Sequence, residues 1–209
     1  MKKKNFFTGS VFQFYVPEIK KYAFCIFFDF TSVSKFNGLI IQVFNKFSDA
    51  ENNRIDDLKF SDWLFGPRVT HKWPDLRKYT NWKSLGILIP PNENAIPDFK
   101  GVQAFPYIVE NEAITGPWYP IHDLIKRGEN CEYKQVRHLE QLILTTILDI
   151  ETRTGMEYCR VNGLPVTDFY DLSKSSIKNM YWQMKNIPLY KDIPEEIRGK
   201  ALTNTSPKK

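Results

Sequence analysis

The sequence predicts an α+β fold: a twisted antiparallel β-sheet, open or curled into an SH3-like barrel, with two C-terminal helices packed on it. Three observations carry this. The first third of the chain consists of aromatic and β-branched runs broken by short polar turns. After about residue 120 the apolar residues switch to helical spacing. Of the 209 residues, 42% are hydrophobic and 15% aromatic, which suits a packed core and argues against disorder. One domain over residues 5–200 is expected, β-rich over 9–120 and helical over 121–200, with a flexible tail at 201–209.

The first strand is read at Gly9 to Val16, where Val11, Phe12, Phe14 and Val16 are apolar. Pro17 opens a polar turn by fixing φ. Tyr22 to Phe30 is an aromatic, buried strand, and Asn37-Gly38 is a hairpin-type signal before Leu39 to Phe47. Three strands joined by short turns form an antiparallel meander. In the acidic stretch that follows, Ile55, Leu58, Trp63 and Leu64 suggest a short helix ended by Gly66-Pro67. Leu85 to Ile89 is a further strand stopped by Pro90-Pro91, and residues 102–109 another, weakened by Pro106.

Two helices are predicted beyond that point. From Cys131 to Gly155, Val136, Leu139, Ile143, Ile147 and Ile150 repeat at the helical period, with Gly155 as the residue after the C-cap. A second helix opens near Thr167 or Asp168 as N-cap and runs to Asn186. One short helical turn starts at Pro194.

The net charge of +5 suggests nucleic acid, but its distribution does not. Lys2, Lys3, Lys4, Lys208 and Lys209 account for all five positive charges, so the body between them is formally neutral. No apolar run approaches the roughly 18–20 residues that span a bilayer. The N-terminus lacks the apolar core of a signal peptide, and three scattered cysteines form neither a disulfide framework nor a zinc motif. A reducing cytoplasm is expected.

Catalysis has little support. His71, His122 and His138 stand in no ligand spacing, and the sequence holds neither a nucleophile elbow nor a phosphate loop. Asp56-Asp57 reads as a solvated face and Cys25 as an inert thiol in an aromatic strand. No enzyme activity, metal or cofactor is expected. The segment Arg68 to Lys83 draws more attention, with five Lys/Arg against one Asp and three interleaved aromatics, Trp73, Tyr79 and Trp82. Such residues stack on bases and meet phosphates, or anchor a protein partner. Trp73, Arg77, Lys78 and Tyr79 are the candidate partner-binding residues. Trp82, directly before a strand, is equally readable as architecture.

Several blocks, in order, resemble the immunity protein 26 family of bacterial polymorphic toxin systems. They are "GSVFQFYVPEIKKYAFCIFFDF", "GLIIQVFNKFSDAE", "LFGPRV" and "NWKSLGILIPPNENAIPDFK", spanning about residues 9–100. The resemblance implies a cytoplasmic, non-catalytic protein that binds a cognate toxin domain and blocks it. It carries over no binding residues, and the matched Gly9, Phe12, Trp82 and Gly86 are fold-makers. The neutral body with a basic segment further implies a target other than a strongly cationic nuclease. The alternative is a nucleic-acid-binding β-barrel protein that uses residues 68–83.

Overall fold

The structure is a computed structural model that describes residues 8–30, 38–51, 54–71, 81–89, 96–103 and 117–202. Its main element is a six-stranded sheet in the order β5-β1-β2-β3-β4-β9. The strands are β1 (Ser10–Val16), β2 (Lys21–Asp29), β3 (Gly38–Ser48), β4 (Arg68–His71), β5 (Lys83–Ile87) and β9 (Leu144–Thr145). The first three form the antiparallel meander expected from the sequence, with Phe12 opposite Cys25 and Cys25 opposite Val43. The sheet stays open, with β5 and β9 at its ends, and β9 joins β4 in parallel. A second sheet holds β6 (Phe99–Val102), β7 (Trp118–His122) and β8 (Lys126–Arg127).

The central strands read as unbroken apolar runs because both faces of the sheet are covered. Successive side chains point to opposite sides. Phe12, Phe14, Ala23, Cys25, Phe27, Leu39 and Ile41 face one core, shared with Ile150, Met156, Cys159 and Met184 from the C-terminal helices. Val11, Phe24, Ile26, Phe28 and Ile40 face the other, closed by Leu58, Phe99 and Leu124. Burying one such Phe or Ile contributes roughly 1.5–3 kcal/mol, so the alternation fixes the register of the meander.

The long helix expected over Cys131 to Gly155 is instead two helices with an extended link. Helix α1 is a single turn, Tyr133–Val136, and α2 runs Ile147–Val161. Thr146 accepts from the Asp149 N–H at 3.1 Å, and the Asp149 carboxylate accepts from the Thr146 N–H at 3.0 Å. This reciprocal cap starts α2 where the periodicity predicts mid-helix. Upstream of it Leu144 and Thr145 pair with Val69 and Thr70, giving β4 a second neighbour. The apolar period is kept, but two elements share it.

Gly155 therefore lies inside α2 rather than after its end. A Cβ there would collide with the Tyr170 hydroxyl and lie 2.9 Å from Val16 Cγ1. Glycine in a helix normally costs up to about 1 kcal/mol against alanine. Here the sign reverses, because only hydrogen fits between the helix and β1. Gly155→Ala is expected to destabilise by about 1–3 kcal/mol in urea unfolding. The Tyr170 hydroxyl is buried without a hydrogen-bond partner among the described residues. Tyr170→Phe added to Gly155→Ala is expected to recover much of the loss, and equal destabilisation of single and double variants would refute the clash.

Other expectations shift in detail. The second helix, α3, runs Ser175–Lys185 with Lys174 as N-cap, so neither Thr167 nor Asp168 caps it. A 3-10 turn at Val166–Asp168 precedes it, and Asp171 accepts from the N–H and hydroxyl of Ser173, turning the chain before α3. The Pro194 turn forms as a 3-10 turn at Glu195–Ile197. The acidic stretch forms no helix among its described residues. It runs along β3 instead, with the Asn45 N–H donating to Asp62 O at 2.9 Å and Leu64 to Val43 O at 2.9 Å. Strand β7 was not legible, because Pro120 lies within it. Gly86 has a φ of 137° at an irregularity between β1 and β5, and a Cβ there would meet only Ile55 Cδ1 at 3.7 Å. Backbone conformation, not a close approach, is what requires glycine there.

Candidate functional site

The basic-aromatic segment is divided by the fold. Its candidate residues Trp73, Arg77, Lys78 and Tyr79 fall in 72–80, outside the described residues. Both of its ends are architectural. Trp82 is 3% exposed and stacks on Phe14 at 4.5 Å and 15°. Lys83 pairs with Glu51 at 2.6 Å, so basic segment and acidic stretch partly neutralise each other. Lys46–Asp57 and Lys21–Asp49 pair two more of that stretch's acids to β3 and β2. Arg68 is 6% exposed and turned inward. With Arg68 and Lys83 committed, the excess positive charge of the segment falls from +4 to +2.

Arg68 begins a buried charged chain that the sequence did not reveal. From β4 its guanidinium donates to Glu140 Oε2 at 2.9 Å and to Thr145 Oγ1 at 3.2 Å. The other Glu140 oxygen accepts from Arg153 at 3.1 Å. Arg153 also meets Glu157 at 2.8 Å, one helical turn on. Glu157 then takes Arg160 Nη1 at 2.9 and 3.0 Å. Arg160 finally donates to the carbonyls of Met184 at 3.0 Å and Ile187 at 2.9 Å. These carbonyls lie at the C-terminal end of α3, where a cation is favourable. The chain of charges thus ties sheet edge, linker, α2 and α3 into one arrangement.

Burial sets the electrostatics of this chain. Burial alone pushes the Glu140 carboxyl up, but the guanidiniums of Arg153 and Arg68 override it and hold it below the usual carboxylate range. At Glu157 burial prevails over Arg153 and Arg160, and the carboxyl lies above that range. Burial lowers the pKa of Arg68, and Glu140 opposes the shift. Ions this deep cost several kcal/mol each to desolvate, so pairing compensates burial rather than adding stability.

No protein-family model, curated protein or solved structure matches this chain. Its remaining reactive groups are therefore judged on geometry alone. His122 Nδ1 lies 2.7 Å from Asp98, whose other oxygen accepts from the Ala201 N–H at 2.9 Å. Asp98 is 24 residues away in sequence, so spacing alone did not suggest it. The observed pair fastens the C-terminal segment to the second sheet. His138 is buried; its Nε2–H donates to Lys200 O at 2.6 Å, and burial lowers its pKa. Burial pushes the Cys25 thiol up, as expected for a strand core. Lys100, 4% exposed, donates to Arg137 O at 3.0 Å and faces the Tyr133 ring at 5.1 Å. Among the described residues, no group of three or more His, Cys, Asp or Glu could hold a metal ion. Among them too, no helix is long and apolar enough to cross a membrane.

The outer face of α3 is a surface that sequence reasoning missed. Between Asp171 and Asp192 the chain has no acidic residue, but it carries Lys174, Lys178, Lys185 and Lys191. Ile177, Met180, Tyr181 and Met184 turn inward onto the core. Trp182 is partly exposed, with the Lys185 ammonium 4.5 Å from its ring. The absence of acids was visible in the sequence; which face stays outside was not.

Proposed function

We propose that this chain is a cytoplasmic binding protein that neutralises a cognate bacterial toxin domain by non-covalent contact, without catalysis. The observation that carries the proposal is the ordered set of blocks resembling immunity protein 26. Support comes from how those blocks meet in space. The Gly9 carbonyl accepts from the Leu88 N–H at 2.8 Å, Val11 is opposite Gly86, and Phe12 lies 6.5 Å from Trp82. Residues from the two ends of the resembling region thus build one strand pair, as residues of a common core would. Binding is assigned to Trp73, Arg77, Lys78 and Tyr79.

The test is to look for a toxin domain encoded beside this chain and to co-express the two. Restored growth is the expected result, and growth arrest despite soluble expression would remove the proposal. Arg77→Ala is expected to weaken rescue while leaving thermal stability within about 0.5 kcal/mol of wild type, as for a residue that contacts a partner rather than the core.

A further inference from the structure

Across the described surface most lysines near an acid are paired with it: Lys21 with Asp49, Lys46 with Asp57, Lys83 with Glu51, Lys126 with Asp123 and Lys134 with Glu132. Helix α3 is different. Lys174, Lys178, Trp182 and Lys185 follow at intervals of four, four and three residues, which places them on one helical stripe. The three lysines are exposed, and among the described residues no carboxylate forms a salt bridge with them. Asp171, beside Lys174, has its carboxylate hydrogen-bonded by Ser173 and feels Lys174 only as a weaker charge without a salt bridge. Trp182 is the stripe's aromatic, since Tyr181 packs on the core. The stripe is about 16 Å long at 1.5 Å per residue. Arg160 holds the end of α3 through two carbonyls, so the helix is fixed before any partner arrives.

We propose that the outer face of α3, formed by Lys174, Lys178, Trp182 and Lys185, docks an acidic protein surface. This rests on the toxin-binding reading and extends it, placing an acidic face on the partner. Charge complementarity selects the partner's sign and speeds encounter. A tryptophan flanked along the stripe by Lys178 and Lys185 offers an aromatic anchor with cationic neighbours. A single-strand binding track stacks successive bases on successive aromatics. Here one aromatic faces outward on the stripe, which favours protein over nucleic acid.

The experiment compares the full chain with a Lys174→Glu, Lys178→Glu, Lys185→Glu triple variant. Both are titrated with a 20-residue poly-L-glutamate peptide, and separately with a 20-nucleotide oligothymidylate, at low salt. The peptide is expected to shift amide resonances of residues 174–185, and the triple variant to lose at least about tenfold in affinity, since each 1.4 kcal/mol is tenfold. Shifts centred elsewhere, unchanged affinity in the variant, or tighter binding of the oligothymidylate at this face would overturn the docking assignment. Co-expression separates this inference from the reading beneath it. If wild type and triple variant both rescue growth equally, the α3 assignment fails and toxin binding stands. If wild type fails to rescue, toxin binding fails and the peptide titration alone decides what the face prefers.

Discussion

Glu140→Ala is expected to destabilise the protein by about 3–5 kcal/mol, the cost of leaving buried charge uncompensated. Its side chain is 1% exposed and is gripped by Arg68 on one oxygen and Arg153 on the other. Removing it leaves the buried Arg68 with only the Thr145 hydroxyl and the buried Arg153 sharing Glu157 with Arg160. Arg68 loses its carboxylate, whereas Arg153 keeps Glu157 but already holds an Nε with no hydrogen-bond partner among the described residues. Glu140→Gln keeps the shape but removes the charge, so it should also be costly. Urea denaturation with the midpoint and slope fitted separately is the measurement. A loss below about 1 kcal/mol for the alanine variant would mean that Glu140 acts as an ordinary surface carboxylate.

The same residue gives a signed pH dependence. The folded Glu140 pKa lies below the reference value of 4.5. Its stabilising contribution is therefore complete above that value and is lost as pH falls through the folded pKa. Glu157 works in the opposite sense, since its folded pKa is raised and protonation favours the folded state. Comparing wild type with Glu140→Gln isolates the first effect. The stability gap between them should narrow as pH drops below 4.5. A gap that stays constant or widens on acidification would contradict the assignment.

This charged chain also shows what a sequence hides. The meander was legible because its buried side chains, Gln13 and Cys25 apart, are aromatic or aliphatic, and Pro17 and Gly38 mark its turns. Trp82 was legible as a possible strand anchor because it directly precedes an apolar run. Arg68, Glu140, Arg153, Glu157 and Arg160 were not, because they lie in separate stretches and look like ordinary surface charges. Arg68 was even counted in a binding segment. The pairing of Leu144 and Thr145 with β4 is a contact distant in sequence, so local periodicity extended one helix across it. The Thr146–Asp149 cap was the available local signal, a Thr followed three residues later by an acid. The apolar repeat overrode it.

Trp82→Ala is expected to cost about 3–5 kcal/mol, as for a large aromatic removed from a packed core. The ring stacks on Phe14 and stands 6.5 Å from Phe12 and 6.3 Å from Phe27. It also closes the sheet at its β5 edge, so the cavity cannot collapse without shifting β1. A second contact separates packing from polarity. The indole N–H donates to Glu151 Oε1 at 2.6 Å, tying β5 to the second turn of α2. Burial raises the Glu151 carboxyl, and this hydrogen bond pulls it partly back. Trp82→Phe keeps an aromatic on Phe14 but removes the donor. It should therefore cost less than the alanine variant and push the Glu151 pKa further up, readable by carboxyl NMR titration. Equal costs for both variants would assign the energy to the hydrogen bond rather than the ring. An unmoved Glu151 would show that the indole does not hold the carboxylate. Because Trp82 is buried and Arg77 lies in the proposed binding segment, the two also divide the segment experimentally. Trp82→Ala should lower stability first and rescue only as a consequence, whereas Arg77→Ala should lower rescue with stability intact.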